Sequence, residues 1–266
     1  MSTTAILYAV GVLGGLGILF GVLLSVADKF FAVPVDERIT LVREAVAGAN
    51  CGVCGYPGCD AFSEAVVRGE APVNGCTPGG SKSAAALAQI MGVNSVSVEE
   101  PVVARLLCQG GDGIAKDRFV YQGISSCAQA MSLSSGPKMC PSACVGLGDC
   151  GRACKFDAIS YVNGLCVIDP NKCTACGACV KACPNHLIKL LPRAATVTVR
   201  CSNTQPGKLV NKACDHGCIG CKLCEKACEH DAIHVNDSLA VIDTDKCIRC
   251  EACVAACPKK CITLSA

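Results

Sequence analysis

The chain begins with a long apolar segment and continues with short amphipathic ones. Residues 1–27 contain no charged side chain, and residues 5–27 form an almost uninterrupted apolar run. A run of about 20 apolar residues is long enough to cross a bilayer as one helix. The pattern therefore predicts a transmembrane anchor over residues 1–28.

The residues that flank this anchor predict its orientation. Nothing positive precedes it, whereas Lys29, Arg38 and Arg43 follow it, and positive charge is retained on the cytoplasmic side of a membrane. Residues 25–27 resemble a signal-peptidase site, but the positive start of a signal peptide is absent. We therefore favour an uncleaved, single-pass anchor in the inner (cytoplasmic) membrane, with the rest of the chain on the cytoplasmic side.

Apolar residues recur at helical spacing in three places after the anchor. These are residues 36–49, 61–68 and 81–91, and serine is available as a cap for the last. The stretch from residue 92 to residue 137 is rich in glycine, serine and valine and has little period. We expect a small helical domain over residues 29–92, followed by a linker with potential ligands over residues 93–126.

Cysteine carries most of the chemical information. The chain has 26 cysteines in 266 residues, and most stand in short runs. One run consists of Cys173, Cys176, Cys179 and Cys183 followed by proline, which is the pattern of bacterial ferredoxins. In that pattern three thiolates bind one [4Fe-4S] cluster and the fourth binds a neighbouring cluster. The run therefore predicts an iron–sulfur protein.

The cysteine runs repeat at an interval of 74 residues. Cys173 corresponds to Cys247, and the sequence Asp-Ala-Ile at residues 157–159 recurs at residues 231–233. Self-similarity at a fixed interval indicates repeated structural units. We predict two tandem ferredoxin modules, over residues 127–198 and 199–266, with two clusters each.

The first module departs from the repeat at one ligand. Leu147 stands where the second module has Cys221, and Cys140 is the replacement that the sequence offers. The fourth cysteine of each run is assigned to the other cluster of its module. The predicted ligand sets are Cys140, Cys144, Cys150 and Cys183; Cys173, Cys176, Cys179 and Cys154; Cys218, Cys221, Cys224 and Cys257; and Cys247, Cys250, Cys253 and Cys228.

Another set of cysteines lies in the predicted helical domain. Cys51, Cys54 and Cys59 stand in a glycine-rich loop, and Cys76 follows a helix-like stretch. Glycines allow tight turns that bring amide N–H groups close to cluster sulfur. We predict one [4Fe-4S] cluster on these four cysteines.

Six cysteines remain outside these five clusters. Cys166 and Cys261 have no partner in the repeat, and we expect them to be buried apolar residues. Two interpretations are open for the other four, which are either structural or the ligands of a sixth [4Fe-4S] cluster between the modules, since a cluster takes four thiolates. These four are Cys108, Cys127, Cys201 and Cys214.

Zinc and disulfides are the alternatives to clusters. Four-cysteine zinc sites also use Cys-x-x-Cys pairs, but three cysteines per run with a fourth before proline fit ferredoxins better. Disulfides form in oxidising compartments, which the predicted location disfavours. Clusters would also cross-link small modules in a chain that has no tryptophan. The formal charge of +2 counts cysteines as neutral, and six clusters at about −2 each would bring it to roughly −10.

The features together resemble one protein family. Residues 50–59 read Asn-Cys-Gly-Val-Cys-Gly-Tyr-Pro-Gly-Cys, Thr-Pro-Gly-Gly follows Cys76, an uncharged anchor precedes them and ferredoxin modules follow. This arrangement resembles the B subunits of Rnf electron-transport complexes over essentially the whole chain. The doubled ferredoxin module resembles the form found in anaerobes.

The anchor and the repeat predict an α+β fold with one N-terminal transmembrane helix, a small helical 4Fe-4S domain and two tandem bacterial 2[4Fe-4S] ferredoxin-like modules. The resemblance implies an electron-transfer subunit of an ion-translocating ferredoxin:NAD+ oxidoreductase, which accepts electrons from reduced ferredoxin while another subunit reduces NAD+. It implies as partners the other membrane and peripheral subunits of the complex, soluble ferredoxin and the membrane, with no nucleic acid. The sequence offers no catalytic residue. A membrane-tethered ferredoxin that serves another enzyme is the alternative.

Overall fold

The first apolar run forms one helix, α1, over Thr3–Phe31. The computed structural model describes residues 3–31, 36–93 and 100–264. None of the 18 residues Val10–Ala27 is buried, and their mean hydropathy is 2.3. Apolar side chains are unfavourable in water, so a helix of this length and composition suits the interior of a bilayer. The predicted anchor is therefore present as a single helix.

Three helices form the small domain that follows. They pack around Phe62, Leu87 and Val42, which are almost fully buried. Their bounds overlap the three predicted segments. The helices are α2 (Glu37–Ala45), α3 (Cys59–Val67) and α4 (Gly80–Met91), with a 3-10 turn at Thr77–Gly79.

Two helix ends differ from the prediction. The end of α2 lies at Ala45, well before residue 49, and the residue that caps α4 is Gly79, not a serine. The hydroxyl of Ser83 donates a hydrogen bond to the carbonyl oxygen of Ala45 at 2.6 Å. This contact joins α4 to the end of α2 and occupies the carbonyl of Ala45.

Phe62 provides a test of this packing. It is 2% exposed, and replacing a buried phenylalanine by alanine costs about 3–5 kcal/mol. We therefore expect Phe62→Ala to lower the stability of residues 36–93 by about that amount, measured as lost hydrogen-exchange protection there but not in residues 197–264. The matched control is Leu41→Ala, because Leu41 is 51% exposed. Equal losses in the two variants would contradict the packing.

Both predicted ferredoxin modules contain a short inner hairpin. Ile159 pairs with Ile168 in the first hairpin, and Ile233 pairs with Ile242 in the second. These registers are displaced by the same 74 residues as the cysteine runs, so the fold agrees with the repeat. The strands are β2 (Ile159–Val162) with β3 (Leu165–Ile168), and β6 (Ile233–Asn236) with β7 (Leu239–Ile242).

A second antiparallel pair lies beside each hairpin, and its first strand was not expected in the first module. That strand, β1, lies inside the predicted linker, of which residues 94–99 fall outside the described residues. Val103 and Ala104 of β1 are both buried, so the strand lacks the alternating pattern that would reveal it. The pairs are β1 (Val102–Leu106) with β4 (Ile188–Pro192), and β5 (Val197–Val199) with β8 (Ile262–Leu264).

The outer strand pairs indicate that each module begins earlier in the sequence than predicted. Because β1 pairs with β4 and β5 pairs with β8, we propose that the modules begin at residues 102 and 197 instead of 127 and 199. Short helices complete them. These are α5 (Cys127–Ser132), α6 (Asp149–Ala153), α7 (Ala178–Ala182), α8 (Gly207–Ala213), α9 (Leu223–Lys226) and α10 (Ala252–Ala256).

Cysteine makes up nearly half of the buried core of each module. Four of the nine buried residues in the core of the first module are cysteines, and the proportion in the second module is the same. Thiols are small, and the strands and helices around them are short. Each core therefore depends on whatever its thiols bind.

Candidate iron–sulfur sites

One local turn places the central cysteine of each ferredoxin run. The residue before α6, α7, α9 and α10 has a left-handed backbone, and in α7 and α6 this residue is a glycine, with φ of 72° at Gly177 and 92° at Gly148. The turn folds each cysteine loop back on itself, and the second residue of the helix is then a buried cysteine. These four cysteines are Cys150, Cys179, Cys224 and Cys253.

Three cavities bring together cysteines from two runs of the same module. Their volumes are about 310, 350 and 320 Å³, so each has room for the same kind of occupant. Each cavity is lined by three cysteines of one run and the last cysteine of the other, which are the sets predicted. The sets are Cys218, Cys221, Cys224 and Cys257; Cys247, Cys250, Cys253 and Cys228; and Cys173, Cys176, Cys179 and Cys154.

Backbone amides point at several of the sulfurs in the four predicted ferredoxin sets. The amides of Ala104, Leu187 and Ala232 donate to the sulfurs of Cys173, Cys183 and Cys228, each at 3.4 Å. Hydrogen bonds to cysteine sulfur stabilise the extra negative charge of a reduced cluster and thereby set its potential. We call each predicted set of four cysteines and its surroundings a cage. The cages thus supply both cysteine ligands and oriented hydrogen-bond donors, as an iron–sulfur cluster requires.

Before any metal binds, some of the cysteines in these cavities are neutral thiols. Burial raises the pKa of Cys179 to about 12 and that of Cys224 to about 11, and neighbouring cysteines add to both shifts. At neutral pH a metal must therefore displace the proton when it binds, since the thiolate is the ligand. Ligand binding and cage formation are consequently coupled.

Among the described residues, the cysteines line cavities and do not converge on single points. A zinc ion with Zn–S bonds of about 2.3 Å draws its ligands to one point. Within residues 3–31, 36–93 and 100–264, no three Cys, His, Asp or Glu side chains converge on such a point. A [4Fe-4S] cluster instead needs its four cysteines spread around a cavity, which is the arrangement seen.

The upstream cysteines lie at one end of the small helical domain. Cys54, Cys59 and Cys76 pack against the same apolar core, and Cys51 is half-buried at the start of their loop. The side chain of Asn50 accepts a hydrogen bond from the amide of Cys59 at 2.8 Å, which fixes the loop against α3. The structure thus brings the four predicted ligands to one part of the domain.

The remaining predicted set is only partly assembled. Cys144, Cys150 and Cys183 belong to the core of the first module. Cys140 instead packs with Ala143 and Ala213, and Asn203 donates a hydrogen bond to its sulfur at 3.2 Å. The contacts of Cys140 therefore lead toward the second module.

Cys127 lies beside the position where the first module lacks a ligand. The hydroxyl of Ser125 donates to the carbonyl oxygen of Leu147 at 3.4 Å, and the guanidinium of Arg152 donates both to the carbonyl of Leu147 at 3.1 Å and to that of Ser125 at 2.7 Å. These contacts hold the start of α5 against the loop that carries Leu147. Cys108 belongs to the core of the first module, Cys201 packs against the core of the second, and the backbone of Cys214 bridges Ala115.

Cys166 and Cys261, which were predicted to be structural, are 1% and 2% exposed. Each nevertheless touches a cage. Cys166 shares a side-chain hydrogen bond with Cys150, and the sulfur of Cys261 lies 3.5 Å from that of Cys257. In both modules a buried fifth thiol thus lies against a predicted cluster ligand.

Two polar residues in these sites had no signal in the sequence. Asn203 is 1% exposed and donates to Cys140, and Asp149 anchors the segment that carries Cys127. The Asp149 carboxylate accepts hydrogen bonds from the hydroxyl of Ser126 and the amide of Ala128, each at 3.1 Å. Neither contact could be read from the sequence, because the partners come from distant parts of the chain.

The ionisation of Asp149 stabilises this anchor. Burial raises its pKa, but hydrogen bonds from Ala128, Cys127 and Ser126, together with the charge of Arg152, lower the pKa below the ordinary 3.8. A lowered pKa means that the contribution is fully present above about pH 3.8 and is lost as the pH falls through the lowered value. The anchor is therefore intact at neutral pH.

Substitution of Asp149 tests the anchor. Asp149→Asn removes the charge and one acceptor, which costs about 1–3 kcal/mol when the partners are left unsatisfied. We expect the variant to lose hydrogen-exchange protection in residues 125–132 at pH 7. The control is Asp157→Asn, which changes an exposed aspartate in the same module. Unchanged protection in Asp149→Asn would contradict the anchoring role.

Comparisons with known families agree with this geometry. Residues 47–78 match the family model described as a putative Fe-S cluster, residues 166–189 match a 4Fe-4S binding domain, and residues 217–264 match a 4Fe-4S dicluster domain. The first match covers the upstream cysteines and the other two cover ferredoxin runs. The α+β fold class and the 4Fe-4S domains are thereby confirmed.

Several curated proteins are similar over most of the chain. The B subunit of the Na(+)-translocating ferredoxin:NAD(+) oxidoreductase complex of Acetobacterium woodii is 46% identical, over 97% of this chain and 78% of that protein. The B subunit of an ion-translocating oxidoreductase complex of Methanosarcina acetivorans is 40% identical, over 98% and 99%. The B subunit of a proton-translocating ferredoxin:NAD(+) oxidoreductase complex of Clostridium ljungdahlii is 39% identical, over 91% and 87%.

Proposed function

Because the chain belongs to the B subunits of the Rnf-type ion-translocating oxidoreductase complexes, we propose that it accepts electrons from reduced ferredoxin and relays them to the other subunits. Its family and its 4Fe-4S domains make it an electron-transfer subunit of an oxidoreductase complex. We propose, in addition, that reduced ferredoxin is the electron donor and that other subunits of the complex are the acceptors. The names of two relatives include ferredoxin and NAD(+), which supports this choice.

One observation carries the proposal. Three cavities, each lined by the four cysteines of a predicted set, recur in two tandem modules of one chain. A [4Fe-4S] cluster, when bound, takes up and gives back one electron without making or breaking a substrate bond. A series of such sites in one polypeptide is suited to passing electrons from one cluster to the next.

The chain's own residues hold the sites and control their surroundings. Buried thiols such as Cys179 and Cys253 keep one side of each cage away from water, while amides such as that of Ala232 donate to ligand sulfur. Burial and donated hydrogen bonds are the two means by which a protein tunes a cluster. NAD+ reduction would take place on another subunit.

The membrane location follows from α1 and from the family. The helix is apolar and unburied, and the relatives are subunits of ion-translocating complexes, so the chain is anchored in a membrane. We propose a single-pass anchor with the modules on the cytoplasmic side, since Lys29, Arg38 and Arg43 follow the span. Soluble ferredoxin would then have access to the modules.

The experiment uses the full-length chain, purified anaerobically in detergent and mixed with a reduced bacterial ferredoxin. We expect the visible absorbance of the chain to bleach as the ferredoxin is reoxidised, with no NADH formed when NAD+ is added. Reduction of the same sample by dithionite is the control that shows its sites to be competent. Bleaching by dithionite but not by ferredoxin would overturn the electron source, and NADH formation by the isolated chain would overturn the division of labour.

Co-purification separates this function from a tethered ferredoxin that serves another enzyme. We expect the chain to be recovered from mild detergent with the membrane and peripheral subunits of a translocating complex. Recovery with a hydrogenase or another soluble reductase instead would support the alternative.

A further inference from the structure

The segment at residues 107–117 joins the two ferredoxin modules. Its Lys116 amide donates to the carbonyl of Ala213 at 2.9 Å, and the Lys116 carbonyl accepts from the amide of Met139 at 2.8 Å. At its other end, the hydroxyl of Ser202 donates to the carbonyl of Leu107 at 3.0 Å. The neighbours of Cys140, Cys201 and Cys214 are thus all attached to one short segment that itself carries Cys108.

Cys108 and Cys201 occupy equivalent places in the two modules. Each is the second residue after the strand that pairs with the last strand of its module, β1 in the first and β5 in the second. The residue before each cysteine donates its amide to the corresponding carbonyl of the facing strand, from Leu107 to Leu187 at 2.8 Å and from Arg200 to Cys261 at 2.7 Å. Positions 187 and 261 are themselves separated by the 74-residue repeat.

Cys140 and Cys214 form a second equivalent pair. They are separated by the repeat interval and are both buried. The backbone of Cys214 forms a bridge with Ala115 in the joining segment, and Asn203, which donates to Cys140, follows Cys201 by two residues. Each equivalent pair therefore contributes one cysteine from each module, and the contacts of the two pairs meet at the joining segment.

The sulfurs face a common region. The position that a Cβ would take at Gly110 is 3.6 Å from the sulfur of Cys214 and 3.7 Å from that of Cys108. Arg200, next to Cys201, donates to the carbonyl of Cys108 at 3.1 Å, and Cys140 packs against Ala213, the residue before Cys214. The four cysteines therefore lie close together.

We propose that Cys108, Cys140, Cys201 and Cys214 hold one [4Fe-4S] cluster between the two ferredoxin modules, and that Cys127 replaces the ligand missing at Leu147. This inference rests on the proposed function, since it assumes that the cages hold iron–sulfur clusters. It exchanges Cys127 and Cys140 relative to the sets that the sequence predicts.

Cys127 is placed to supply the thiolate that Leu147 cannot. The contacts of Ser125, Arg152 and Asp149 hold the first turn of α5 on residues 147–149. Asp149 accepts hydrogen bonds from Ser126 and Ala128 and directly precedes Cys150, so Cys127 lies near a ligand of the incomplete cage. The resulting set is Cys127, Cys144, Cys150 and Cys183.

Cys166 is the competing fourth ligand, and the second module argues against it. There, Cys261 touches a cage that already has four cysteines of the ferredoxin pattern, so a buried thiol beside a ligand is not itself a ligand. Cys166 stands in the same relation to Cys150. Both thiols then remain free while the other 24 of the 26 cysteines bind six clusters.

The test measures iron, acid-labile sulfide and electron paramagnetic resonance spectra of full-length variants purified anaerobically. We expect Cys108→Ala, Cys140→Ala, Cys201→Ala and Cys214→Ala each to lose about four irons and the same spectral signal. Cys140→Ala combined with Cys214→Ala should lose no more than either alone. Cys166→Ala and Cys261→Ala are the matched controls and should keep all iron. Full iron in the first four variants would overturn the inference.

A rescue experiment provides a positive result that misfolding cannot imitate. Cys127→Ala should lose about four irons with a different signal, and adding Leu147→Cys should restore them. Leu147→Cys should not restore the iron lost in Cys140→Ala. Rescue of Cys140→Ala, or of an iron loss in Cys166→Ala, by Leu147→Cys would overturn the assignment of Cys127.

Asn203 provides a measurement that leaves the ligands intact. Asn203→Leu removes the donor to Cys140 and should lower the reduction potential of the signal that Cys140→Ala abolishes, because a reduced cluster carries more negative charge. A shift in the signal that Cys127→Ala abolishes would overturn the inference. Zinc without sulfide in the unmodified chain would defeat the proposed function itself, whereas clusters that are insensitive to these substitutions would defeat the inference alone.

Discussion

Removal of iron is expected to unfold the ferredoxin modules over residues 100–264. Each inner hairpin and each outer pair has only two strands, and a two-stranded sheet is marginal in water. The helices around them have between four and seven residues, which is too short to be stable alone. With cysteine forming nearly half of each core, the free energy of metal binding is in large part the free energy of folding.

Hydrogen exchange after anaerobic chelation measures this effect. We expect protection to fall to the level of an unfolded chain in strands β1 to β8, and to return when iron and sulfide are added back. Helix α1 contains no cysteine and should stay protected in detergent, so it serves as the internal control. Modules that keep their protection without iron would show that the polypeptide core alone is sufficient.

Deletion of residues 1–31 is expected to move the chain from the membrane to the soluble fraction. The exposed side chains of α1 include Leu13, Ile18 and Leu24, each more than two-thirds exposed, and about 20 such residues are enough to hold a chain in a bilayer. Because the cysteines all lie after α1, the iron content per chain should not change. Fractionation of membranes with iron analysis measures both results.

An unrelated apolar span in place of α1 is the control, and it should return the shortened chain to the membrane. The intact mass of the full-length chain tests the signal-peptide alternative, since cleavage after Ala27 would remove the span. Recovery of the full-length chain in the soluble fraction would contradict the anchoring role of α1.

Much of the fold could be predicted because the cysteines of each run, and the apolar residues of each helix, are close together in the sequence. The ferredoxin runs place three thiolates in one loop, and the repeat links Ile159 with Ile233 as well as Cys173 with Cys247. The anchor and the three helices of the small domain also follow from apolar spacing. In these places the chemistry and the local structure are set by residues that are close in the sequence.

The arrangement between the modules could not be predicted, because it depends on a break in the repeat. In the sequence Cys127 corresponds to Cys201, but in the structure Cys108 takes the equivalent place after its strand. The residues between β1 and α5 shift the first module relative to the second in the 74-residue alignment. Strand β1 itself shows no alternation of buried and exposed residues. The repeat interval therefore holds for the hairpins and fails for one cysteine.

The ligand that we propose to replace Leu147 also differs from the one that the sequence suggests, for the same reason. Cys140 lies four residues before Cys144 in the sequence, so the sequence alone suggests it as the replacement ligand. The structure turns it toward Asn203 and Ala213, and brings Cys127 to Leu147 through contacts of Asp149 and Arg152. Such contacts between distant segments leave no periodic signal.

The central claim is that these cysteines hold iron–sulfur clusters, and metal analysis of the anaerobically purified full-length chain tests it most directly. The account predicts about 24 irons per chain with an equal amount of acid-labile sulfide and no stoichiometric zinc, or about 20 if the cysteines between the modules bind no cluster. Zinc in place of iron, with no sulfide, would contradict it.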